Sequence, residues 1–142
     1  MPWVYVLTYL AGVGLQMAFP WHVRKSGSPL IAGWAVFAVG LAIAGWGWTI
    51  FHNARTTTVP GEASSQLIRR GPYRMSRNPM YVGLAIAYLG EAGLQNQVWP
   101  MVLLPLTLAY VNWIVIPVEE ERLNEVFPGE YERYRKSVRR WL

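Results

Sequence analysis

Long apolar runs alternate with short polar breaks along this chain, and the runs are too uniform to be one-sided surface helices. Trp3 to Phe19 is an uncharged run of 17 residues, the short end of what a helix needs to cross a bilayer. No basic residue precedes it and no A-x-A-like site follows it, which argues against a secretory leader. Pro20 to Ser28, holding His22, Arg24 and Lys25, predicts a loop. Pro29 to Phe51 is a second uncharged run, of 23 residues, and spans comfortably. Within it Gly33, Gly40, Ala44 and Gly47 form a small-residue stripe on which another helix can pack closely. Trp46, Trp48 and His52 predict an anchor at the membrane surface.

Met80 to Leu94 is apolar except for Glu91. Its 15 residues cover about 22 Å, less than the roughly 30 Å hydrocarbon core. The helix is therefore short, thins the bilayer, or is half of a tight hairpin closed by Gln95-Asn96-Gln97. Glu91 belongs at the far interface, because a carboxylate at mid-membrane is expensive. Trp99 to Val118 predicts a fourth span, and Pro105 and Pro117 free backbone carbonyls in it. Asn112 is placed for a hydrogen bond between helices. Glu119 to Val126 continues that helix into water until Phe127-Pro128-Gly129 breaks it. Glu130 to Leu142 predicts an amphipathic helix, with Tyr131, Tyr134, Val138 and Trp141 on one face and Arg133, Arg135, Lys136, Arg139 and Arg140 around it. The expected fold is an all-α membrane protein, a single integral membrane domain over 1–142. It has four transmembrane helices, the third and fourth a tight hairpin, plus a cytoplasmic C-terminal amphipathic helix.

Composition agrees: 53% of residues are hydrophobic and 15% charged, with eight Trp and eight Tyr. There is no cysteine, which excludes disulfides, thiolate nucleophiles and cysteine metal sites. Two histidines and no aspartate argue against a metal centre or a Ser-His-Asp triad. The net charge of +5 sits beside apolar spans, so anionic lipid headgroups are the expected partner rather than nucleic acid.

His52 to Asn78 is the long polar loop. Thr56 to Gly61 predicts extended chain and a turn, and Ser64 and Ser65 can cap a helical turn. With four spans, this loop and both termini share one side. That side carries eleven basic residues (Arg55, Arg69, Arg70, Arg74, Arg77, Arg122, Arg133, Arg135, Lys136, Arg139 and Arg140), and the other carries Arg24 and Lys25. The positive-inside rule places the richer side in the cytoplasm. The turn-rich segment Gly71 to Gly83 is then either a charged loop that sets topology or one wall of a site. Pairing the third and fourth spans brings it to Glu119-Glu120-Glu121, and arginines beside carboxylates make a polar cavity at the interface.

Arg77-Asn78-Pro79-Met80-Tyr81-Val82-Gly83 resembles the R-H/N-P-x-Y-x-G signature of the isoprenylcysteine carboxyl methyltransferase group. That group belongs to a wider set of membrane methyltransferases that includes the phospholipid N-methyltransferases. Glu119-Glu120-Glu121-Arg122-Leu123 is similar to its E-E-x-x-L element, and Phe127, Tyr131 and Tyr134 to its F-G-x-x-Y-x-x-Y tail. Leu67 and Gly71-Pro72-Tyr73 fit the lead-in, so residues 67–142 form the family-like catalytic core. Asn78 departs from the His of eukaryotic members, Pro128 replaces the tail glycine, and the additional N-terminal spans of larger members have no counterpart here.

The resemblance implies S-adenosylmethionine as methyl donor and a lipophilic or amphipathic acceptor, whether a carboxylate, an amine, a thiol or a quinone-like molecule. It implies Arg77 and Glu120 as catalytic residues, and Tyr73, Arg77, Asn78, Pro79, Tyr81, Gly83, Glu119 and Glu120 as the cofactor-binding set. A ribose diol suits Glu119 or Glu120, and the methionyl carboxylate suits Arg77. Tyr73 and Tyr81 can flank the adenine or the sulfonium, and Gly83 lets a backbone or the cofactor approach. Two other readings stand beside this one. The first is a non-enzymatic membrane scaffold or small-molecule binder that retains the fold. The second is a reductase, disfavoured by the missing G-x-G-x-x-G fingerprint.

Overall fold

The computed structural model describes residues 3–23, 31–54 and 67–142. The loop features expected at Arg24, Lys25 and Arg55, at Thr56 to Gly61 and at Ser64 and Ser65 lie outside them. Among the described residues there is no strand. Helices α1 (Trp3–Ala18) and α2 (Ile31–Asn53) precede a short 3-10 turn at Gly71–Arg74. Helices α3 (Pro79–Leu94), α4 (Val98–Val126) and α5 (Glu130–Ser137) follow. Two stretches, Ala32–Asn53 and Val98–Val126, are long and apolar enough to cross a membrane. Helices α1 and α3 have 16 residues each, about 24 Å of helix. Large apolar side chains point outward on α1 (Leu7, Leu10), α2 (Trp34, Val39) and α4 (Leu106, Trp113). Such faces suit a hydrocarbon surround rather than water.

The glycine stripe of α2 faces α3. A Cβ on Gly40 would collide with the backbone of Ala87, and one on Gly83 with the backbone of Ala44. Gly90 meets Phe37 in the same way, so the two helices touch along their backbones. Helix α1 packs on α4 by similar means. Gly12 faces the Pro100 backbone, and the Thr107 hydroxyl donates to Thr8 Oγ1 at 2.9 Å. Helices α3 and α4 are joined by Gln95-Asn96-Gln97, where Asn96 takes a left-handed φ of 56° and Gln97 N–H returns to Ala92 O at 2.9 Å. At this end the Gln95 amide donates to Glu91 Oε1 at 2.7 Å; at the opposite end, beside the start of α3, His52 stacks on Trp48.

Pro117 shapes α4. Val111–Val115 forms a π-turn in which Ile116 N–H bonds to Val111 O. The next residue in that pattern, Pro117, has no N–H to give to Asn112 O, so that carbonyl is freed. Gly129, at φ 75°, then turns the chain into α5.

The tail differs from the amphipathic helix expected over Glu130 to Leu142. Helix α5 ends at Ser137, and Val138 is extended at φ −128°, ψ 134°. Tyr131 and Tyr134 are buried against the protein, 3% and 5% exposed. The reason is that the chain beyond Ser137 finds better partners by folding back. Arg77 N–H bonds to Arg139 O at 2.9 Å and the Asn78 amide to Arg140 O at 3.0 Å.

Candidate active site

Each arm of the site is placed by local sequence. Gly71, at φ 61°, takes a left-handed turn that Pro72 extends into the 3-10 turn. Pro79 then fixes the first residue of α3. These two punctuation marks hold Arg77 at the mouth of α3. Glu119 and Glu120 lie on α4 one turn beyond the π-turn.

Arg77 Nη1 stands 2.7 Å from Glu120 Oε1, with side chains 9% and 11% exposed. That contact lacks the alignment of a hydrogen bond, and Arg77 Nε is buried with no partner among the described residues. Arg140 Nη2 donates to Glu120 Oε2 at 2.8 Å. Two guanidinium groups thus offset the cost of burying one carboxylate. Arg77 Nη1 also donates to the Tyr131 hydroxyl at 3.3 Å. Burial and the Glu120 carboxylate push the Tyr131 phenol up to about 12, against the pull of Arg77. Burial likewise raises Tyr134, whose hydroxyl donates to Tyr73 O at 2.7 Å.

The neighbouring carboxylate belongs to a different set. Tyr81 donates to Glu119 Oε1 at 2.7 Å, and Tyr5 donates to Tyr81 O at 3.2 Å. Adjacent glutamates on one helix therefore face two partners: Glu120 the arginines, Glu119 the tyrosines of the core. A cavity of about 540 Å³ opens beside Glu120, with Tyr131, Arg135, Arg140, Glu121 and Asn124 in its wall.

Of the residues singled out in the sequence, Arg77, Glu120, Tyr81 and Glu119 come together at one end of the helices. Glu120 reaches the cavity wall, and Arg77 backs it. Asn78 gives its amide to Arg140 O. Tyr73 is buried with its ring against Phe51, and Gly83 faces α2. Sequence reasoning missed Arg140, which it placed among lipid-facing charges. It also missed Tyr131 as a cavity wall. The signal for Arg140 was weak: an orphan carbonyl before Pro117 needs a donor, but nothing local says which. The hydrogen bond expected between helices at Asn112 goes instead to the extended tail: Asn112 Oδ1 accepts from Trp141 Nε1 at 3.0 Å, past the end of α5.

A family model described as phospholipid methyltransferase matches residues 29–130. The chain belongs to this family. The match takes in α2, α3 and α4 and thereby Arg77, Tyr81, Glu119 and Glu120; the family places the two apolar spans in a membrane protein. Among curated proteins, the cobalt-zinc-cadmium resistance protein CzcN of Cupriavidus metallidurans is 29% identical over 117 residues, 79% of this chain and 51% of that protein. The nickel-cobalt-cadmium resistance protein NccN of Alcaligenes xylosoxydans xylosoxydans is 29% identical over 80 residues, 56% of this chain and 37% of that protein. The chain thus spans about half, or less, of these relatives' length. No solved structure matches.

Proposed function

We propose that this chain is an integral membrane methyltransferase, using S-adenosylmethionine and acting on a lipophilic or amphipathic acceptor, in the manner of the isoprenylcysteine carboxyl methyltransferase group. One observation carries the reading. Arg77 of the signature loop and Glu120 of the double glutamate, distant in sequence, meet in a buried ion-pair cluster at the wall of a cavity of about 540 Å³. That volume lies within the range of small-molecule sites. The donor set fits the ligand. Glu120 keeps a lone pair on Oε2, beside the Arg140 bond, for a ribose hydroxyl. The guanidinium groups of Arg135 and Arg140 in the cavity wall suit a carboxylate, with Arg77 behind Glu120 as its counter-charge.

When bound, S-adenosylmethionine supplies a methyl group on a positively charged sulfur, open to direct displacement. The protein's own share is to position and to exclude water. Arg77 and Glu120 fix the polar end of the pocket. Tyr81 holds Glu119 on the core side of α4, behind the Glu120 cluster. Tyr73, Asn78, Pro79 and Gly83 shape this end from behind. We further propose that all four long helices cross the bilayer, with the arginine-rich loop and the site on the cytoplasmic face. The chain has no cysteine, so Arg74→Cys at an exposed position allows labelling from one side. Labelling from the cytoplasmic face is expected, and labelling from the opposite face would refute the orientation.

The names of the relatives favour a second reading, a membrane component of a metal-resistance system without transfer chemistry. Among the described residues no group of three or more His, Cys, Asp or Glu is arranged to hold a metal ion, and we rank the transferase first. Calorimetry on purified protein separates them. S-adenosylmethionine is expected to bind wild type, and binding to be lost in Arg77→Ala and Glu120→Ala. No binding at millimolar concentration would overturn the transferase reading.

A further inference from the structure

We infer that Arg140 is a positioning residue of this pocket and that Asn78 acts through it; the inference rests on the cofactor reading above. The segment Val138–Leu142 leaves α5 extended and passes between the start of α3 and the π-turn of α4. Its main chain is held from the α3 side. Arg77 N–H bonds to Arg139 O at 2.9 Å, and Arg140 O accepts the Asn78 amide at 3.0 Å and the Ser76 hydroxyl at 3.4 Å. Its side chains reach the α4 side. Trp141 Nε1 donates to Asn112 Oδ1 at 3.0 Å, and Arg140 Nη1 lies 3.4 Å from both oxygens of Asn112. One of those oxygens is the carbonyl that Pro117 leaves without its N–H. Arg140 is thereby held at its main-chain carbonyl and at Nη1 while Nη2 reaches Glu120.

Arg77 neutralises Glu120 without fixing its plane, because the 2.7 Å contact is not aligned as a hydrogen bond. The bond from Arg140 Nη2 to Oε2, 2.8 Å, does fix it. Exposure sorts the two roles: the Arg77 side chain is 9% exposed and that of Arg140 29%. Arg77 is the buried counter-charge, and Arg140 the orienting arm at the cavity rim. Its bond leaves the second lone pair of Glu120 Oε2 for a ribose hydroxyl in the cavity both residues line, while Oε1 is buried against Arg77. Asn78, the position where this chain departs from the histidine of eukaryotic relatives, sets where Arg140 stands. Its side chain does so through a backbone carbonyl rather than by touching a ligand.

The test is calorimetric binding of S-adenosylhomocysteine to full-length wild type, Arg140→Gln, Arg140→Lys, Asn78→Ala and the Asn78→Ala/Arg140→Gln double variant, with thermal midpoints recorded for each. Arg140→Gln is expected to weaken binding about tenfold, the loss of one charge-assisted orienting bond. Arg140→Lys recovers part of that loss. Asn78→Ala weakens binding in the wild-type background and has no further effect on Kd in the Arg140→Gln background, while lowering the thermal midpoint in both. Equal weakening by Asn78→Ala in both backgrounds, or an unchanged Kd in Arg140→Gln, overturns the inference and leaves the cofactor reading standing. Failure of wild type itself to bind overturns the cofactor reading and the inference with it.

Discussion

Replacing Glu120 with leucine strands a guanidinium. Arg77 is 9% exposed, its close counter-ion is Glu120 at 2.7 Å, and the contact left to it is the 3.3 Å bond to Tyr131. Removing one partner of a buried ion pair costs about 3–5 kcal/mol, because the other charge stays buried and unpaired. Water entering from the adjoining cavity of about 540 Å³ relieves part of this, so the lower end, about 3 kcal/mol, is expected for Glu120→Leu. Arg140, at 29% exposure, turns to solvent and adds little. Arg77→Met leaves Glu120 with Arg140 and should cost less, about 1–2 kcal/mol. The double variant removes both charges and keeps the volume, which for buried pairs is close to neutral. A coupling energy of about 2 kcal/mol or more follows. The measurement is reversible unfolding in mixed micelles, read by the near-ultraviolet signal of the tryptophans. Single-variant losses that add to within about 0.5 kcal/mol would refute the claim that Arg77 and Glu120 are one buried unit.

Backbone contact between α2 and α3 makes Gly83 intolerant of any side chain. Gly83→Val should lower stability by about 1–3 kcal/mol, whereas Gly45→Ala, with nothing within 4 Å of its Cβ, should be neutral or slightly stabilising; equal midpoints for the two would contradict the packing. The Tyr131 phenol, raised from 10.0 to about 12, stays neutral in the folded protein while the unfolded chain releases its proton. Its stabilisation is therefore complete below pH 10 and is lost as pH rises through 12. Wild type should lose on the order of 2 kcal/mol more than Tyr131→Phe across that interval, and equal losses would show the phenol is not buried as described.

Helix boundaries were largely legible, because they depend on residues that act locally. Pro79 opens α3, Asn96 tolerates the left-handed turn that closes it, and Gly129 turns the chain into α5. The two glutamates and Arg77 could be brought together on paper once α3 and α4 were paired. The last turn of the chain departs from the helix that its periodicity predicts. The periodicity of Tyr131, Tyr134, Val138 and Trp141 fits one helical face, yet the helix stops at Ser137. What stops it is not in those residues. It is the set of donors at Arg77, Asn78 and Ser76, which offer the carbonyls of Arg139 and Arg140 better partners than a further helical turn.

Local chemistry thus determined the apolar spans, the breaks between them, the glycine stripe and the motif residues, since each follows from side-chain transfer energies or backbone restrictions a few residues wide. Tertiary structure decided which surface met which. It placed the stripe of α2 against α3, as backbone contact needs two glycine-lined faces at once. It separated Glu119 from Glu120, as adjacent positions on a helix point about 100° apart and so meet different neighbours. And it carried Arg140 from an expected lipid-facing row into the ion-pair cluster, as the orphan carbonyl of Asn112 and the second oxygen of Glu120 lie within its reach in the folded chain alone.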